Sequence, residues 1–70
     1  MPTFLTARRI CNIALGAWGY CSTDTLVNEL RRELGLSLHD ARHQVYTWAL
    51  DPRVKIDDHG NYYIEGLGGA

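Results

Sequence analysis

The stretch from Thr23 to Val54, TDTLVNELRRELGLSLHDARHQVYTWALDPRV, constrains the fold more than any other part of the chain. Leu26, Val27, Leu30 and Leu34 recur every three or four residues, which puts them on one face of a helix. Thr23 is placed to cap the start of that helix, and Asp24 puts a negative charge in its first turn, where the helix dipole favours it. Gly35 ends it, because only glycine enters the left-handed conformation at no steric cost. A second helix starts almost at once. Ser37 and Asp40 have the spacing of a capping box, with Asp in place of the usual Glu. Leu38, Ala41, Val45, Trp48 and Ala49 share one face, and Pro52 requires the helix to end by Asp51. Two amphipathic helices joined by so short a turn must pack on each other.

The remaining segments are read around this pair. VKIDDHGNYYI follows as a β-hairpin: Val54 and Ile56 alternate with Lys55, Tyr62 and Ile64 alternate with Tyr63, and Asp58-His59-Gly60-Asn61 supplies the turn. Upstream, a first helix is expected from about Thr6 to Gly19. Ile10, Ile13, Ala14, Ala17 and Trp18 form its buried stripe, with Arg8, Arg9 and Asn12 off it. Tyr20 to Ser22 is an extended link expected to hold a stub strand. The chain divides into a lead-in (1–5), one folded domain (6–64) and a glycine-rich tail (65–70).

Helix, turn, helix and a two-stranded ribbon, with Leu30, Leu34, Gly35, Leu36 and Ala41 around the turn, resembles the winged helix-turn-helix superfamily. The resemblance covers nearly the whole chain. It departs at Arg31, where a small residue is common, and at Gln44, where an apolar one is common. It implies a mainly α fold of three helices with a small C-terminal β-hairpin, the wing. It also implies sequence-specific binding of double-stranded DNA, with the third helix in the major groove and the wing on the backbone. By position, His39, Asp40, His43, Gln44 and Thr47 would face the bases, Arg53, Lys55 and His59 would lie along the wing, and Arg31 and Arg32 would reach phosphates. Glutamine matches an adenine edge and threonine a thymine methyl, which gives those types a chemical reason to be there.

Charge argues in the other direction. Seven Lys and Arg stand against eight Asp and Glu, a formal net charge of −1. Nucleic-acid-binding domains usually carry a basic excess. Asp40 sits near the centre of the outer face that a wheel assigns to the third helix, with His43 and Thr47, while Arg42 falls near the edge of the buried stripe. Asp57 and Asp58 similarly weaken the wing. A single copy with so few cations would hold DNA weakly, so the DNA reading implies a homodimer on two half-sites. The alternative is a protein-interaction module, an adaptor or small inhibitor on the same fold. Tyr46, Leu50, Tyr62 and Tyr63 would then anchor the partner, since aromatic residues are enriched in interfaces.

Other classes find little support. The sequence holds no local Ser/His/Asp or Cys/His arrangement and no glycine-rich phosphate loop, and so small a domain has little room for a deep pocket. No enzyme activity and no cofactor are expected. His39 and His43 have a spacing that can chelate a metal, but no further ligands accompany them. Cys11 and Cys21 read as small buried hydrophobes with free thiols, and neither a signal peptide nor a membrane span is visible. These features point to the cytoplasm.

Overall fold

The computed structural model describes residues 3–66, with side chains from residue 6 onward. The elements run α1 (Thr3–Trp18), β1 (Cys21–Ser22), α2 (Thr23–Leu34), α3 (Leu38–Trp48), β2 (Val54–Ile56) and β3 (Asn61–Ile64). Three helices thus accompany a three-stranded antiparallel sheet in the order β1-β3-β2. The hairpin expected from sequence is present, and the stub strand joins it. β1 pairs with β3 through Cys21↔Tyr62 and Ser22↔Asn61, so β3 is the central strand. Most of the expected tail lies outside the described residues.

Local chemistry accounts for the central pair of helices. Ser22, one residue before the cap expected at Thr23, is extended and accepts a hydrogen bond from the Thr25 amide at 3.2 Å. Gly35 ends α2 with φ of 67° and donates its amide to the Arg31 carbonyl at 2.9 Å. Ser37 then caps α3 by accepting from the Asp40 amide at 3.1 Å. Each helix therefore has a side-chain cap on one of the orphan amides of its first turn, and α2 ends on a glycine that answers one of its orphan carbonyls.

The core is formed by Leu26, Val27 and Leu30 of α2, Ala41, Val45 and Trp48 of α3, and Ala7, Cys11, Ala14 and Leu15 of α1, with Cys21 and Tyr62 from the sheet. Trp48 and Tyr62 meet edge to face, with ring centroids 5.7 Å apart. The Trp48 indole N–H donates to Asn12 Oδ1 at 3.0 Å, which ties α3 to α1. Burial holds the Cys11 thiol up at about 12, with a smaller contribution from nearby Cys21, whose own thiol is also raised; both are free and buried.

α1 differs from its sequence reading in two ways. It begins at Thr3, through much of the expected lead-in. Its buried stripe is Ala7, Cys11, Ala14 and Leu15, which shares only Ala14 with the expected set: Ile10 is half-buried and packs against the core, and Ile13, Ala17 and Trp18 are exposed. Apolar residues ring most of this helix, so periodicity alone does not select a face. The small Ala7, Cys11 and Ala14 let α1 approach its neighbours, and Asn12 must face Trp48. Among the described residues, no helix is long and apolar enough to cross a membrane.

Candidate nucleic-acid interface

Ala41, Val45 and Trp48 turn α3 so that its solvent face centres on His39, His43 and Tyr46. This differs from the expected centre at Asp40, His43 and Thr47. Leu38 had been counted on the buried side, and it is 43% exposed. Removing it from the core set rotates the outer face. Asp40 moves to one flank and Arg42 to the other, exposed rather than buried against the core.

Local bonds then sort the candidate side chains. Thr47 donates its hydroxyl to the His43 carbonyl at 2.8 Å, the common threonine back-bond within a helix. Gln44 is half-buried, and its Oε1 is sealed from solvent without a hydrogen-bond partner. A glutamine needs both ends of its amide free to pair with an adenine edge, so Gln44 is badly placed for that role. Arg32 bonds Glu29 at 2.6 Å and lies 3.6 Å from Glu33, which occupies its guanidinium along α2. Arg53 is held by Asp51 through its backbone amide at 2.9 Å and through Nε and Nη2 at 3.2 and 2.9 Å. The same carboxylate is 3.9 Å from Arg8.

Arg31, Arg42 and Lys55 are exposed and take part in no ion pair among the described residues. They stand at the end of α2, on α3 and on β2. His39, His43 and His59 are exposed beside them in sequence, on α3 and at the tip of the hairpin. Part of the expected acidity of the hairpin is internal: Asp57 Oδ1 accepts the Asn61 and His59 amides at 2.9 and 2.8 Å and closes the turn. Those bonds, that of Asn61 first, lower its carboxyl below the usual value. Asp40 and Asp58 remain exposed.

Of the residues weighed for a protein interface, Tyr62 is buried against Trp48 and is not available to a partner. Tyr63 is half-buried, whereas Tyr46 and Leu50 are 53% and 81% exposed. Ile56, at 59%, is an exposed apolar residue of β2 that sequence alternation had turned inward. Arg42 is the candidate that sequence reading left out of the DNA set, and a wheel centred on Ala41, Val45 and Trp48 alone would have found it. No group of three His, Cys, Asp or Glu side chains among the described residues is placed to hold a metal ion. Comparisons with protein-family models, with characterised proteins and with solved structures gave no match.

Proposed function

We propose that this chain is a winged helix-turn-helix domain that binds double-stranded DNA, with α3 in the major groove and the β2–β3 hairpin on the adjoining backbone. The element order and the central position of β3 support the fold reading. The three-residue connection between α2 and α3, with its left-handed Gly35, supports it further.

One observation carries the functional reading. The near-zero net charge is unevenly distributed between paired and unpaired cations. Arg8, Arg32 and Arg53 face carboxylates, while Arg9, Arg31, Arg42 and Lys55 do not; of these four, Arg31, Arg42 and Lys55 lie on the elements that would meet DNA and Arg9 lies on α1. Unpaired guanidinium and ammonium groups can take phosphates without first breaking an internal bond. Arg42, Arg31 and Lys55 are assigned to the backbone, His39 and His43 to the base edges and His59 to the wing contact.

A gel-shift series against random duplex DNA at several salt concentrations tests this. Arg42→Ala and Lys55→Ala should each weaken binding and lower the slope of log affinity against log salt by about 1, the signature of one lost phosphate contact. His43→Asp should abolish the shift. Unchanged binding in all three variants would exclude this docking mode.

Exposed Tyr46, Leu50 and Ile56 favour a second reading, in which the same region docks a protein. That reading requires no salt-dependent DNA binding and the loss of a protein partner on Tyr46→Ala.

A further inference from the structure

The apolar stripe that periodicity assigns to the buried side of α1 lines an open groove instead. Ile10, Ile13, Ala14, Ala17 and Trp18 all face one groove of about 370 Å3 between α1 and α2. Ile13 and Trp18 stand about 140° apart around the helix, with Ile10, Ala14 and Ala17 between them. They are therefore two walls rather than one strip. Both project into solvent, at 64% and 54% exposure. The floor between them runs from exposed Ala17 through half-buried Ile10 to buried Ala14. The two alanines keep that floor low.

The opposite rim is acidic. Glu29 and Glu33, one turn apart on α2, complete the lining, and among the described residues no cationic side chain faces the groove. Arg32 bonds Glu29 at 2.6 Å and stands 3.6 Å from Glu33. One guanidinium against two carboxylates leaves this rim net negative. A nucleic-acid backbone would meet like charge there. A wholly apolar occupant would cover the carboxylates without pairing them, which costs free energy. An aliphatic chain that ends in a cation answers every part of the groove. Its stem lies on Ile10, Ala14 and Ala17, and its head reaches Glu29 and Glu33. The Trp18 ring offers that cation a second favourable surface.

We propose that this groove binds a basic amphipathic segment of a partner protein. Apolar side chains of the segment sit between Ile13 and Trp18, and its lysine or arginine heads sit on the Glu29 and Glu33 rim. This is the helix-in-groove mode of recognition, in which apolar anchors supply the attraction and charge sets partner and register. Charge complementarity selects the occupant, since the groove presents carboxylates and no cation. The surface uses none of Arg31, His39, Arg42, His43 or Lys55, so it stands whether or not α3 reads DNA.

An NMR titration of the isotope-labelled full chain tests the proposal. The probes are an amphipathic helical peptide of leucine and lysine, its leucine–glutamate counterpart, and a scrambled leucine–lysine peptide with no apolar face. The first should give saturable shifts at the amides of Ile10, Ala14, Ala17 and Trp18, weakening as salt is added; the other two should not. Glu29→Gln combined with Glu33→Gln should raise the dissociation constant by about tenfold or more. Ala17→Arg, which puts a cation into the groove from a position already in solvent, should abolish the shifts with an unchanged circular dichroism melt. No saturable shift at these four residues, or equal binding of the leucine–glutamate peptide, would overturn the proposal. Shifts centred on Tyr46, Leu50 and Ile56 would overturn it by placing the peptide elsewhere. The same four residues shifting as the chain alone is concentrated would make a second copy the occupant, and would overturn it too. No DNA is present in the titration, so its failure counts against this proposal alone.

Discussion

Asn12 and Asp51 show how much single polar residues determine in this domain. Asn12 reads in the sequence as an ordinary surface residue of α1. Its carboxamide oxygen is the hydrogen-bond partner of the buried Trp48 indole. Asn12→Leu would leave that N–H buried and unanswered, at a cost of about 1–3 kcal/mol. Urea unfolding should show the loss, and it should shrink when Trp48→Phe removes the orphaned donor in the same background. An Asn12→Leu variant as stable as wild type would contradict the assignment. Asp51 gives a prediction in pH. Its side-chain bonds to Arg53, then the bond to the Arg53 backbone amide, then the Arg53 and Arg8 charges, hold its carboxyl at about 2 against an ordinary 3.8. The folded chain therefore takes up this proton less readily than the unfolded one. The stabilisation is complete above pH 3.8 and is lost as pH falls through about 2. Asp51→Asn should flatten the acid limb of the stability curve in that window, as followed by chemical denaturation at stepped pH. An unchanged limb would show that Asp51 does not contribute there.

At the scale of elements, what could be read from sequence tracks what is local. α2 and α3 are fixed by caps, a left-handed glycine and a clean apolar period, and all of these lie within a few residues of one another. Gly35→Ala would meet no neighbour, since the space around it is open, so its cost is conformational strain alone: about 1 kcal/mol, seen in thermal melts. Gly35→Asn should cost less, because asparagine tolerates this region better. Equal melts for all three chains would mean that the turn does not need the left-handed geometry. The face of α1 was not legible, because its apolar residues surround the helix and the choice among them depends on contacts made by α2 and α3. The central place of β3 was hidden for a similar reason: the pairing of Cys21 with Tyr62 spans most of the chain. In the candidate site, a helical wheel located His39 and His43. It could not show that Thr47 bonds its own helix, that Gln44 is half-buried, or that Arg32 and Arg53 are engaged by carboxylates.

The molecule as a whole has two surfaces of different character. α3 and the hairpin present unpaired cations and exposed histidines, whereas α1 presents exposed Arg9, Ile13, Gly16 and Ala17. Net charge alone argues against DNA binding, because a sum over the chain cannot distinguish cations held by carboxylates from cations left open. The measurement that tests the DNA-binding account most directly is a gel shift of the wild-type chain on random duplex DNA across a salt series. Arg31, Arg42 and Lys55 acting on phosphates predict binding at low salt with a log–log slope of about −3 per copy. No shift at low salt, or an affinity indifferent to salt, would contradict the account and leave the exposed Tyr46, Leu50 and Ile56 as the surface to pursue.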